Sequence, residues 1–274
     1  MFLNAVVIVL QEILEAALIL SLFLAFVRYL NLENNDSVLR RRIWVTLSII
    51  FGILLAWTYS HNFSRISDSF DYVGLEITNA SIHSISCFFL VLFAWLLPPQ
   101  QLIFDVSHRL LTLTLCMGIV VMLAILREGS EIMQLVGGIL NQGQAGPPIF
   151  YGGVVGAGIG VSIGVLLYYA LTGLSRERSL RTCVLLLALT TGNMAAQTIL
   201  LLNQADWLPF TPTAWDTGGL LSESSVLGQL AYALIGYEAT PSIMQVGAYT
   251  LGLVIVLLSP ISRLAWSTWH GKAS

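Results

Sequence analysis

Two short stretches place acidic side chains at helical spacing inside long apolar runs. One reads Gln11-Glu12-Ile13-Leu14-Glu15, and the other reads Arg127-Glu128-Gly129-Ser130-Glu131. Glutamates three positions apart lie on the same face of a helix, so each stretch predicts two carboxylates that project together. Ionisable groups inside a membrane span usually face the protein interior and serve a pathway.

The chemistry that suits such residues is the binding of a hard, multivalent cation. Oxygen-rich sites built from carboxylates prefer hard cations. Without a cation, four clustered carboxylates would repel one another and some would take up protons. Arg127 offsets one negative charge and can hold a carboxylate through its planar guanidinium group. The alternative for each glutamate pair is a partly protonated hydrogen bond between helices.

Composition indicates that these stretches lie in a membrane. The chain has 274 residues, of which 56% are hydrophobic and 10% charged, whereas a soluble domain carries about 25% charged residues. Its three cysteines show no CxxC spacing, which argues against a disulfide framework or a thiolate metal site. The N-terminus has no basic segment and two glutamates interrupt its first apolar run, so we expect a retained first helix rather than a cleaved signal peptide.

The hydrophobic pattern predicts an all-α polytopic membrane protein with seven transmembrane helices. The predicted spans are 3–27, 43–60, 79–97, 111–138, 151–172, 182–203 and 243–262. The polar first half of the third span leaves its start poorly defined. A glycine in every fourth position from Gly152 to Gly164 predicts close packing of the fifth span against a neighbour.

Charge distribution predicts the orientation of these spans. Ten of the 12 Lys and Arg residues fall on one side of the seven-span arrangement, and cytoplasmic loops carry the basic excess, so the N-terminus is expected outside and the C-terminus inside. The opposite side should attract cations. Its acidic residues are Asp68, Asp71, Glu76, Asp206, Asp216, Glu223 and Glu238. The long outer segment 204–242 is predicted to contain a short helix around Ser224–Ile235.

The two acidic stretches also indicate an internal repeat. They lie in spans one and four, so the helices that carry them run in opposite directions. This predicts an inverted 3+3 repeat plus one C-terminal helix, with a binding site near the middle of the membrane. We expect a single transmembrane domain, with repeat one at about 1–97, repeat two at about 111–203, the outer loop at 204–242 and the last helix at 243–262.

The motifs resemble those of the oxidase-dependent iron permeases, which include fungal high-affinity iron permeases and bacterial EfeU-type permeases. That family carries an R-E-x-x-E motif in its first and its fourth span. Arg127–Glu131 matches the second motif fully, whereas the first motif begins with Gln11 in place of arginine. Trp215-Asp216-Thr217 and the run from Gly236 to Gln245 resemble the family's signature before the last span.

The resemblance implies inward transport of iron, ferric or ferrous, with iron as the substrate and no prosthetic group. It implies these iron ligands: Glu12, Glu15, Glu128 and Glu131, supported by Arg127 and Gln11. Glu76, Asp216 and Glu238 are the candidates for the outer entry pathway. The implied partners are the lipid bilayer and a periplasmic or extracellular iron oxidase or iron donor, with no nucleic acid; a homo-oligomer stays open. The implied location is a plasma membrane or a bacterial inner membrane.

Three alternatives stay open. The replacement of arginine by Gln11 would also fit a permease for another metal, such as lead or manganese. A membrane-embedded di-iron enzyme is a second hypothesis, but such sites usually need Glu-x-x-His motifs, and His83 in the third span is interpreted as a packing residue. A proton-coupled transporter of some other cation or of an organic solute is a third, although the aromatic cluster that an organic cation favours is missing. We therefore expect a transporter and not an enzyme.

Overall fold

The structure is a computed structural model that describes residues 2–29, 38–96, 106–141, 146–222 and 225–262. These residues are almost entirely helical and contain no β-strand. The helices are α1 (Phe2–Tyr29), α2 (Val38–His61), α3 (Phe63–Ser67), α4 (Gly74–Leu96), α5 (Val106–Asn141), α6 (Gly146–Gly173), α7 (Arg176–Gln204), α8 (Val226–Ile235) and α9 (Ile243–Leu257). Three of the charged residues behind the predicted orientation lie outside the described residues: the acidic Glu223 and the basic Arg263 and Lys272.

Six of the described helices are long and apolar enough to cross a membrane. They are α1, α2, α4, α5, α6 and α7. Five of them contain the corresponding predicted span in full, and α4 contains the third span up to residue 96. The seventh predicted span coincides with α9, which has 15 residues and is shorter than the predicted 243–262. The prediction of an all-helical, multi-pass membrane protein is therefore confirmed.

The polar start of the third predicted span belongs to its helix. α4 begins at Gly74, five positions before the predicted start at 79. Its hydroxyl groups turn back onto the preceding turn, since Thr78 donates to the Gly74 carbonyl at 2.7 Å and Ser81 donates to the Ile77 carbonyl at 2.8 Å. Hydroxyls bonded in this way present less unsatisfied polarity to an apolar environment, which lets the helix extend through a polar segment.

The glycine stripe of α6 packs directly on α1, as predicted. A Cβ atom at Gly152 would lie 2.6 Å from the Phe2 carbonyl oxygen, and one at Gly164 would lie 2.6 Å from the Ala17 Cβ atom. Only a residue without a side chain lets the two backbones approach so closely. Because contacts advance along both helices together, α1 and α6 run in the same direction.

A second close pair is formed by α2 and α5. A Cβ atom at Gly118 would lie 3.1 Å from the Ser48 hydroxyl, and one at Gly129 would lie 3.2 Å from the Ala56 Cβ atom. These two helices therefore also run in the same direction.

The remaining long helices pair in opposite directions. Across the α4–α7 interface, Cys87 lies against the Thr191 carbonyl and Ser84 lies against Thr198. Across the α7–α9 interface, Gly192 lies against Tyr249 and Gly252 lies against the Thr191 carbonyl. The largest hydrophobic cluster fills the space between these helices and α1, where Phe93 contacts Phe23 and Phe26 edge to face.

The segment between α7 and α9 contains the short helix that the sequence predicts. α8 spans Val226–Ile235, and its N-terminus is capped by the Ser225 hydroxyl, which accepts from the Gly228 N–H. It ends at Gly236 in a left-handed conformation with φ of 68°, which glycine adopts without steric strain. The side chain of Gln245 and that of Ser242 cap the start of α9 reciprocally.

Candidate metal site

α1 contributes two buried carboxylates from one face. Glu12 is 6% exposed and Glu15 is 5% exposed. The amide of Gln11 donates to Glu15 Oε1 across one helical turn, at 3.4 Å. Burial of acidic groups at this depth is unfavourable unless each finds a counter-charge, a proton or a metal ion. The partners of these carboxylates therefore come from a neighbouring helix.

Arg127 on α5 is the counter-charge, and it contacts both helices. Its Nη1 atom lies 3.0 Å from Glu15 Oε2 and 2.9 Å from Glu128 Oε1. Its Nε atom lies 3.3 Å from Glu131 Oε1. The planar guanidinium group directs its donors outward in a fixed fork, which suits it to hold several carboxylates at once. Arg127 therefore joins α1 to α5 through charged hydrogen bonds.

Three of the four glutamates form a tight cluster beside this ion pair. Glu12, Glu128 and Glu131 each offer a carboxylate oxygen, and these oxygens lie within 4.8 Å of one another. Glu12 and Glu128 are close enough to interact directly, and two buried carboxylates at such a distance are stabilised by a proton or a cation between them. Their Oε2 atoms are buried and accept no hydrogen bond from the described residues. Such a cluster has oxygen lone pairs available for a hard cation.

Glu15 is not one of the three clustered carboxylates. Both of its oxygens accept hydrogen bonds, one from Gln11 and one from Arg127. Of the four glutamates predicted to share one site, three are thus clustered, and Glu15 contacts the same Nη1 atom of Arg127 that Glu128 contacts. Glu131 is the most accessible of the four, with its side chain 36% exposed.

Glu238 lies in the wall of a separate cavity. This cavity has a volume of about 240 Å³ and is also lined by Trp215, Tyr237 and Tyr249. Glu238 accepts from the Gln197 amide at 3.1 Å and from the Gln245 amide at 2.6 Å. The contact of Gln245 with Glu238 was not predicted, because nothing in a lone glutamine indicates which carboxylate it will contact.

The other two candidates for the entry pathway differ in their surroundings. Glu76 lies in the first turn of α4, with a buried Oε2 atom that accepts no hydrogen bond from the described residues. It is close enough to Tyr59 to act on it electrostatically, as is Glu131. Asp216 is exposed, and its Oδ1 atom accepts from the Gly218 N–H at 2.9 Å within a local turn. Glu76 and Glu131 thus share Tyr59 as an electrostatic neighbour, whereas Asp216 lies in an exposed local turn.

Two further residues near the site were not predicted to belong to it. Tyr232 of α8 lies within electrostatic range of Glu15, Arg127 and Glu238. His83 of α4 is 2% exposed and within electrostatic range of Arg127. Both come from elements distant in sequence from the two motifs, so their proximity follows only from the tertiary packing.

The long apolar helices and the buried cluster of charged side chains define an integral, multi-pass membrane protein. Residues 2–266 match the iron permease FTR1 family, and the chain belongs to that family. The resemblance predicted from the two motifs is therefore confirmed. The family is one of permeases, in agreement with the expectation of a transporter.

Curated relatives are similar over part of their length. The chain is 27% identical over 141 residues to the ferrous iron permease EfeU of Shigella flexneri, which covers 51% of this chain and 59% of the relative. The same identity over 141 residues holds for the ferrous iron permease EfeU of Escherichia coli O157:H7, covering 51% of this chain and 50% of the relative. The chain thus spans about half the length of the curated relatives it matches. No solved structure matches the chain.

Proposed function

We propose that this protein is an iron permease, and that the clustered carboxylates of α1 and α5 bind iron during transport. The observation that carries the proposal is the convergence of Glu12, Glu128 and Glu131 on one point inside the helical bundle, with Arg127 beside them. Membership of the iron permease family and the similarity to proteins named ferrous iron permeases support iron as the substrate.

The proposed architecture has seven crossings in one transmembrane domain, with the N-terminus outside and the C-terminus inside. The helix directions support it. α1 and α6 are parallel, α2 and α5 are parallel, and α4 runs opposite to α7, which is the alternation that seven successive crossings require. Arg28 at the end of α1 and Arg176 at the start of α7 then lie on the inner side.

The packing also supports an inverted repeat that exchanges α1 with α5, α2 with α6 and α4 with α7. The α1–α6 and α2–α5 pairs become equivalent under this exchange, and they are the two most extensive helix contacts in the described residues. The exchange leaves the α1–α5 pair and the α4–α7 pair unchanged. In both pairs the two helices run in opposite directions, which a two-fold axis in the membrane plane requires. Repeat one is about 1–97 and repeat two about 111–203, with 204–242 and 243–262 added.

The proposed transport step begins at the exposed end of the cluster. Iron reaches Glu131, the most accessible of the glutamates, from the acidic outer side near Glu76. It then binds between Glu12 and Glu128, whose Oε2 atoms have free acceptor capacity. The positive charge of iron replaces that of Arg127 at Glu128, which releases the guanidinium group to Glu15.

Movement of iron to the inner side then follows from relative motion of the two repeats, because the cluster lies at the interface between α1 of one repeat and α5 of the other. Transporters of this architecture expose a central site alternately to the two sides. Glu15, which contacts the same Nη1 atom of Arg127 as Glu128 does, is the next carboxylate on the proposed path.

The test is iron flux into proteoliposomes that contain the purified protein. Glu128→Gln keeps the size of the side chain and removes its charge, and we expect it to abolish the uptake of iron. The matched control is Glu177→Gln, which removes a partly exposed glutamate that pairs with Arg181 away from the cluster and should leave uptake intact. Wild-type flux in Glu128→Gln would refute the proposal. Competition by manganese and lead in the same assay tests the alternative substrates.

A further inference from the structure

A small cavity lies beside Glu15, on the side that faces α7. Its volume is about 10 Å³, which is room for one water-sized particle. Its lining includes Glu15 from α1, Thr190, Asn193 and Met194 from α7, and Gly236 at the end of α8. The cavity is thus surrounded by a carboxylate, an amide, a hydroxyl group and a thioether.

The amide of Asn193 indicates that this cavity holds a ligand. Asn193 is 7% exposed, and its buried Oδ1 atom accepts no hydrogen bond from the described residues. That oxygen faces Gly236, where a Cβ atom would lie 2.8 Å from it. A buried oxygen acceptor without a partner is unfavourable, and native structures rarely retain one unless water or an ion satisfies it.

The α8 terminus adds negative polarity to the same place. α8 ends at Gly236 beside this cavity, and Ala233, Leu234 and Gly236 contribute to its lining. The C-terminal end of a helix carries a partial negative charge. Helices that stop inside transporter folds commonly direct such ends at a bound cation. A cation therefore fits this position better than an anion does.

Met194 supplies a softer donor than the carboxylate cluster has. It is 5% exposed and lines the cavity, and its Sδ atom accepts a hydrogen bond from Nδ1 of His83 at 2.9 Å. His83 is itself fully enclosed. Thioether and imidazole ligands favour transition metals, whereas magnesium and calcium prefer sites made of oxygen alone.

We propose that Glu15, Asn193 and Met194, with His83 adjacent, form a second metal position that accepts ferrous iron and rejects magnesium and calcium. This inference rests on the proposed function, since the second position is the one that iron occupies after leaving the carboxylate cluster. Arg127 contacts both Glu128 of the carboxylate cluster and Glu15 of this position. The carboxylates attract any hard cation, and the thioether sulfur selects the transition metal.

The test uses cadmium as a soft divalent probe on the purified protein. X-ray absorption at the cadmium edge should show a sulfur ligand in the wild type, and Met194→Leu should remove it while conserving volume. Met117→Leu is the matched control, because Met117 is equally buried in the hydrophobic core and should not change the spectrum. A sulfur contribution that persists in Met194→Leu, or that is missing in the wild type, would overturn the inference.

A second measurement ties the position to selectivity. In proteoliposomes, cadmium should compete with ferrous iron roughly tenfold less well in Met194→Leu than in the wild type, an effect of the size that loss of a metal-site contact produces. Normal iron flux with unchanged cadmium competition would reject the second position and leave the carboxylate site standing. Absence of iron flux in the wild type would reject the proposed function, and the absorption spectrum would still decide the second position.

Discussion

Arg127 holds the two motif helices together, and its replacement by glutamine is the sharpest perturbation that the structure offers. The side chain is 13% exposed and contacts Glu15, Glu128 and Glu131 at 3.0, 2.9 and 3.3 Å. Glutamine is shorter and neutral, so Arg127→Gln removes all three charged contacts. Two of the carboxylates, those of Glu15 and Glu128, then remain almost completely buried with no positive charge nearby.

The magnitude of the loss follows from the burial of each partner. Glu131 is 36% exposed, so water screens its pair with Arg127 and that contact contributes at most about 1 kcal/mol. Unit charges about 4 Å apart interact by roughly 4 kcal/mol at an effective dielectric constant near 20. Removing one partner of a buried ion pair typically costs about 3–5 kcal/mol. We therefore expect Arg127→Gln to lower the free energy of unfolding by about 3–5 kcal/mol in the absence of metal.

The assay is equilibrium unfolding in mixed micelles, with a double-mutant cycle. Glu15→Gln removes the carboxylate that Arg127→Gln leaves uncompensated, so the double variant should recover about 1–3 kcal/mol relative to the sum of the single changes. The control is Arg181→Gln, whose partner Glu177 is partly exposed, and its effect should stay below about 1 kcal/mol. An Arg127→Gln protein as stable as the wild type, or additive effects at positions 15 and 127, would refute the reasoning.

Two further predictions concern the same helix pairs. Gln11→Arg places a second cation one turn from Glu15, so we expect weaker uptake of ferrous iron and an altered order of metal preference in proteoliposome flux; unaltered flux for every metal would contradict this. Gly152→Ala puts a Cβ atom 2.6 Å from a backbone carbonyl of α1 and should destabilise the protein by about 1–3 kcal/mol. At Gly158 an added Cβ atom would meet no atom within 4 Å, so Gly158→Ala should stabilise the protein by up to about 1 kcal/mol through helix propensity. Equal changes in the melting temperature of the two variants would argue against the close contact at Gly152.

Much of the fold was predictable because membrane helices are specified by local composition. Length and hydropathy sufficed for six helices, and the four-residue period of glycine identified the face of α6 that α1 covers. The start of α4 was misjudged because hydropathy counts a hydroxyl as polar, whereas Thr78 and Ser81 satisfy theirs within the helix. The surroundings of Glu238 were not predictable, since Gln197 and Gln245 belong to helices whose relative rotation no local pattern encodes.

The two glutamate motifs differ at their first residue, which is Gln11 in one and Arg127 in the other. Gln11 and Arg127 occupy equivalent positions in the two motifs, and each contacts the glutamate four residues later, at 3.4 Å and 3.3 Å. Arginine is long enough to reach across to the other helix as well, and Arg127 does so at Glu15. Gln11 is too short and has no charge, so Glu131 receives no equivalent cation from α1. Glu12 and Glu128 each keep a buried Oε2 atom that accepts no hydrogen bond from the described residues. A Gln11→Arg variant, which restores the arginine of the family's first motif, should therefore change the metal preference of this cluster.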